Sequence, residues 1–224
     1  MFNKEETNLN KSEKNKVTKI EIQKRNKKRV NLYINDEYAM AFSTEIAFKH
    51  NLKVGQEIDY EELKIIAEED NYIKCKSDAL RFIEKSYKTE KQVYNKLIAK
   101  GYDNATIEKV IDFLIEYKFI DDCRFVELYI EERLEREGRN KIKYSLMKKG
   151  ISESNIDEKL NYIDRDTERD ALNKIAEKKY KSILKSEEDK KKIYNKLGRF
   201  LMSKGYLWED VKCVLNKLLY NHGQ

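Results

Sequence analysis

Proline is absent from the 224 residues and glycine occurs only seven times. The long periodic segments therefore contain no obligatory breakers, and helix is expected to dominate. No apolar run approaches the ~18 residues needed to span a bilayer. The first 16 residues, MFNKEETNLNKSEKNK, are polar and charged and lack the apolar stretch of a targeting segment. The composition reads as that of a cytoplasmic, soluble protein with no membrane partner. Cysteine stands at three distant positions, Cys75, Cys123 and Cys213, without a CxxC spacing or a cysteine–histidine cluster. Such a set offers no zinc site and suits a reducing compartment. The two histidines, His50 and His222, are too far apart in sequence to assemble a triad or metal cluster. Neither GxxxxGK[ST] nor GxGxxG occurs, so no phosphate-cradling loop is visible. No catalytic residue, metal or cofactor is expected, and the chain reads as a binding protein rather than an enzyme.

What is present is charge, at 39% of positions, and enough apolar residues, 40%, to bury real cores. The net charge of +6 is unevenly placed. Residues 1–30 hold ten Lys/Arg against four Asp/Glu, whereas 31–224 hold 37 of each. Within the latter, 31–76 carry five basic and ten acidic groups, and 166–224 carry fourteen and nine. Two basic poles suit an anionic partner.

Residues 17–42 alternate at the period of strands: Thr18, Ile20 and Ile22, then Val30, Leu32 and Ile34, then Tyr38, Met40 and Phe42. That pattern predicts a three-stranded meander, with an Asx-type turn at Asn35 and Asp36. A short helix opened by Ser43 or Thr44 and a helical segment near 61–69 complete a small α+β head.

From about residue 77 the period becomes helical and the chain repeats itself. Aligning KLIAKGY, SLMKKGI and FLMSKGY on Gly101, Gly150 and Gly205 produces six apolar columns. Eight before the glycine stand Val93, Ile142 and Leu197; four before, Leu97, Leu146 and Leu201; three before, Ile98, Met147 and Met202. Six after stand Ile107, Ile156 and Val211; ten after, Ile111, Leu160 and Leu215; thirteen after, Leu114, Ile163 and Leu218. The first three columns are expected on one face of a helix and the last three on one face of the next. The lysine–glycine between them is the stop: glycine enters the left-handed region, and the lysine favours the negative end of the helix dipole. Capping sequences open the second helices at Thr89–Gln92 and Ser186–Asp189. A further helix precedes each pair. The chain is thus mainly α, with three tandem three-helix repeats after the α+β head. The expected divisions are a disordered tail (1–16), the head with its connecting helix (17–76), and repeats at 77–120, 121–165 and 166–224.

Two stretches compete for function. In KFIDDCRF, paired carboxylates stand beside an arginine. Their place at a repeat junction puts Asp121 at an N-cap, Asp122 in the first turn and Arg124 within reach of Asp121, with Ile120 and Phe125 as core. The motif reads as cap and packing, or as these with an added contact. In KRNKKR, the residues Lys24, Arg25, Lys27, Lys28 and Arg29 crowd a hairpin tip that is either simply solvated or laid against nucleic-acid phosphates. Tyr102, Tyr162 and Tyr206 fall near repeat cores and read as structural.

The stretch FIDDCRFVELYIEERLEREGRNKIKYSLMKKGI, residues 119–151, resembles the central signature of the RecX family of bacterial regulators of the recombinase RecA. Ile120, Asp121, Asp122, Arg124, Phe125, Arg133, Gly138, Ile142, Leu146, Lys149, Gly150 and Ile151 fall in place, while Val126 stands where the family usually has alanine. The resemblance covers about residues 77–220, and the head looks like the extension of Gram-positive members. It implies a curved repeat array, acting as a monomer, that lies in the groove of the RecA–single-stranded DNA filament. There it would restrain strand exchange, ATP hydrolysis and coprotease activity in DNA repair and the SOS response. The signature does not say which residues touch RecA. A different reading, open on composition alone, is a protein acting directly on DNA through its basic head and third repeat.

Overall fold

The computed structural model describes residues 15–220. The expected tail falls mostly outside them, although Asn15 and Lys16 already belong to the first strand. The chain forms two compact units, one of residues up to Phe82 with Lys96–Phe113, the other of Ile83–Asn95 with the chain from Leu114 onward.

The head is a sheet of β1 (Asn15–Ile22), β2 (Arg29–Ile34), β3 (Glu37–Ser43) and β4 (Glu57–Ile58), in the order β3-β2-β1-β4, antiparallel throughout. The expected meander is there, extended by a fourth strand. At two residues β4 carries no readable period; pairing with Asn15 and Lys16 creates it. Asn35 and Asp36 both have positive φ, 49° and 69°. Two left-handed residues in succession make the primed hairpin turn, whose twist matches that of the strands. A bulge between Val17 and Lys19 brings Val17 onto the same face as Ile20, opposite the buried Ile34 and Leu32, while Ile22 at the end of β1 is exposed. Val17, Val30, Leu32, Ile34 and Phe42 pack on Ile46 of α1 (Thr44–Lys49) and on Leu63 and Ile66 of α2 (Tyr60–Ile83). Ser43 caps α1 by accepting from the Ile46 N–H. The two helices expected near 61–69 and from 77 onward are this one 24-residue helix, because nothing between them breaks it.

The repeats follow as α3 (Glu90–Ile98) and α4 (Asn104–Glu116); α5 (Asp122–Arg133), α6 (Arg139–Lys148) and α7 (Glu153–Asn161); and α8 (Arg165–Ile183), α9 (Lys190–Ser203) and α10 (Trp208–Tyr220). Gly101, Gly150 and Gly205 take φ of 86°, 93° and 88°, as the stop signal requires. At the first, the Gly101 N–H reaches the Ile98 carbonyl and the Tyr102 N–H reaches Leu97; at the second, Gly150 reaches Met147 and Ile151 reaches Leu146. This paired closure satisfies carbonyls that the helix leaves open. Thr89 and Gln92 form the expected reciprocal box, each side chain accepting from the other's backbone N–H. In the third repeat the cap is Asp189, which accepts from Lys191 and Lys192, rather than Ser186, whose hydroxyl turns back to the Ile183 carbonyl.

Five of the six aligned columns are buried or nearly so, including all members at minus eight and minus four. The exception is the column three before the glycine, which was expected to share the buried face. Ile98, Met147 and Met202 are 42%, 44% and 43% exposed. Tyr162 is 81% exposed and no core residue, whereas Tyr206 is fully buried.

Candidate interaction surfaces

At the hairpin tip, the Asn26 side chain accepts from the Lys28 N–H at 3.1 Å and its carbonyl accepts from the Arg29 N–H at 3.0 Å, which fixes the turn. Lys24, Arg25, Lys27 and Lys28 all point to solvent. Arg29, expected among them, is withdrawn. Its guanidinium meets both oxygens of Asp70 at 3.3 and 3.2 Å and the Ala41 carbonyl. Asp70, 2% exposed, also accepts from the Ser43 N–H and pairs with Lys74. Arg29 thus ties the sheet to α2, leaving four exposed cations at the hairpin tip. Beside Asp70 in sequence, Glu69 is bonded by both Lys49 and His50, which hold its carboxyl below the usual range.

The carboxylate pair resolves into two jobs. Asp121 caps α5 by accepting from the Arg124 N–H at 2.9 Å. The Arg124 guanidinium turns away to Glu127, 3.2 Å distant, rather than to Asp121 as expected. Lys159 binds the same carboxyl, and the two cations lower its pKa. Asp122 accepts from the Glu90 N–H at 2.9 Å, so a residue of the second repeat holds the start of the first repeat's second helix. Burial pushes the Asp122 carboxyl up, against the pull of that N–H, and the neighbouring Asp121 charge adds to the rise.

The other signature positions are structural in the same sense. Ile120, Phe125, Ile142, Leu146 and Ile151 are buried. Phe125 stacks on Tyr129, with the Lys149 ammonium over both rings and the Arg133 guanidinium over Tyr129. Arg133 also lies 3.7 Å from Glu137. Gly138 opens α6 with an ordinary φ of −78°, so its lack of a side chain answers to space alone. A Cβ there would come within 2.6 Å of the Gly205 and Tyr206 backbone.

These contacts disclose a rule for joining repeats that sequence reasoning missed. The N-terminus of α6 sits on the α9–α10 turn, with the Gly138 N–H bonded to the Lys204 carbonyl at 2.8 Å and Asn140 N–H to Gly205 at 3.2 Å. The N-terminus of α3 sits on the α6–α7 turn in the same way, the Thr89 hydroxyl donating to the Lys149 carbonyl at 2.6 Å. In the first two repeats the start of the second helix thus bonds the open carbonyls ending the next repeat's second helix, through a hydroxyl at Thr89 and through backbone N–H groups at Gly138 and Asn140. Nearby, Arg139 pairs with Glu168 at 2.7 Å, and burial pushes the Tyr206 hydroxyl up to about 12. A glycine where Ser, Thr, Asn or Asp is the usual cap was the one available hint of the joint.

Among the described residues no group of His, Cys, Asp or Glu could hold a metal, and no helix is long and apolar enough to cross a membrane. His222 lies outside the described residues. The repeats joined end to end, with their motif residues used as caps and joints, define a helical repeat protein, a class that binds macromolecules over extended faces. Comparison with known proteins narrows this. Family models match along the chain: "Regulatory protein RecX N-terminal domain" at 15–59, and the first, second and third three-helix domains of RecX at 75–114, 121–160 and 166–215. A Regulatory protein RecX of Clostridium tetani is 85% identical over 214 residues, 96% of this chain and 99% of the relative. One of Clostridium beijerinckii is 48% identical over 204 residues, 91% and 96% of the two chains. A crystal structure of regulatory protein RecX superposes with a TM-score of 0.67 at 25% identity, covering 89% of this chain and 98% of the other. The chain belongs to the RecX family of regulatory proteins.

Proposed function

We propose that the protein binds the recombinase RecA, free and as its filament on single-stranded DNA, and restrains the filament's ATP hydrolysis, strand exchange and coprotease activity in DNA repair and the SOS response. It acts in the cytoplasm, as a monomer and without chemistry of its own. The observation that carries this reading is the match of all three helical repeats and the head to the RecX family, on a chain whose motif residues are caps and joints. Repeats built this way leave long faces for a macromolecule. The test is ATP hydrolysis by the cognate RecA on single-stranded DNA at physiological salt. Substoichiometric protein should inhibit it, and unaltered hydrolysis at excess protein would sink the reading.

A second reading, direct DNA binding, rests on the four exposed cations at the hairpin tip. Phosphate contacts of this kind weaken steeply with salt. It predicts salt-sensitive binding to bare DNA that is lost when Lys24, Arg25, Lys27 and Lys28 are all changed to glutamate.

A further inference from the structure

Three columns on the last two turns of the second helices are exposed in every repeat: those six, three and two residues before the turn glycine. At minus six stand Asn95, Tyr144 and Arg199, and at minus two Ala99, Lys148 and Ser203. These share no chemistry, as expected of solvated positions. At minus three stand Ile98, Met147 and Met202, apolar in every copy and exposed to nearly the same degree. A single exposed Met or Ile is ordinary on a protein surface. Apolar character kept at the same exposed place in three copies, between columns that drift freely, is not. Folding does not explain it, because the buried leucines one residue earlier, Leu97, Leu146 and Leu201, already supply the core contact of that turn.

We propose that Ile98, Met147 and Met202 are three equivalent docking contacts, one per repeat, and that their partner is a protein surface presenting the same apolar pocket several times. A partner with one binding site would fix one such residue and let the others drift. Recurrence in each repeat is matched by a polymer of identical subunits, and the inference rests on the proposed function in taking that polymer to be the RecA filament. Methionine suits such a contact, since its unbranched, polarizable chain adapts to the pocket it enters.

The test measures the affinity of the full chain for cognate RecA filaments on single-stranded DNA. It compares wild type, the three single variants Ile98→Gln, Met147→Gln and Met202→Gln, and their combination. Each single change should weaken binding about 10-fold and the triple change at least about 100-fold, as for apolar contacts at an interface centre. A second triple variant, with leucine at all three positions, should bind within about 3-fold of wild type, because it keeps the apolar contact. Thermal melting separates lost contact from lost fold. Wild-type binding by the glutamine triple, or equal loss in the leucine triple, would overturn the inference. Failure of the wild-type protein itself to bind the filament would instead overturn the proposed function.

Discussion

Gly138 and Gly205 stand against one another across the joint between the second and third repeats, so closely that a methyl group on Gly138 would lie 2.6 Å from the Gly205 backbone. Both sides are main chain, so neither can give way by rotating a side chain. Gly138→Ala should therefore separate the joint or displace the start of α6, costing about 2–3 kcal/mol. Urea unfolding measures this. An alanine variant as stable as wild type would mean that the contact between Gly138 N–H and the Lys204 carbonyl is not maintained in solution.

Removing Arg29 should damage the head, not merely weaken a contact to phosphate. Arg29→Ala leaves Asp70 buried with Lys74 as its remaining cation. Leaving the Asp70 charge wholly uncompensated would cost about 3–5 kcal/mol, and with Lys74 and the Ser43 N–H still in place the loss should be about 2–3 kcal/mol. Changing Lys24, Arg25, Lys27 and Lys28 to glutamine should alter stability by less than about 1 kcal/mol, since all four are solvated. Melting of the two variants decides it: similar losses would contradict the division between one structural and four free cations.

Asp122 titrates with a definite sign. Its folded pKa is raised by burial, with Asp121 adding to the rise. The native state thus holds this proton more tightly than the unfolded chain, and the associated stability is present at low pH and lost as pH rises through the raised value. At neutral pH the charge is a cost. Asp122→Asn keeps an oxygen for the Glu90 N–H and removes the charge, so at pH 7 it should be at least as stable as wild type. That advantage should shrink as pH falls toward about 4. Paired urea midpoints at the two pH values check the slope, and an advantage that grows on acidification would contradict it.

Lys118 ends α4 with φ of 56°, a left-handed position occupied by a side chain. At the equivalent ends of the second helices the residue is glycine. Lys118→Gly should relieve the strain and raise stability by up to about 1 kcal/mol, the residual after the unfolded chain's added freedom is subtracted. An unchanged or lower melting temperature would contradict this.

The features legible in the sequence were those set by local chemistry. Gly101, Gly150 and Gly205 marked the stops because only glycine enters the left-handed region cheaply, and Thr89 with Gln92 marked a start because both capping partners lie within one turn. Contacts between distant segments were not legible. Arg29 read as one of five equal cations until Asp70, 41 residues on, claimed it. Periodicity placed Ile98, Met147 and Met202 on the buried side because a position 100° from the core centre counts as apolar whether or not anything covers it. The end-to-end joints were invisible for the same reason, since no spacing rule relates Thr89 to Lys149.

The most direct test of the central claim is a binding titration at physiological salt, with the labelled full chain added to cognate RecA filaments on single-stranded DNA and, separately, to the same DNA without RecA. Binding to the filament at concentrations where bare DNA takes up none is the result predicted for a regulator that docks on the protein polymer. Equal binding to both, falling steeply as salt rises, would contradict it and leave the basic hairpin as the working surface.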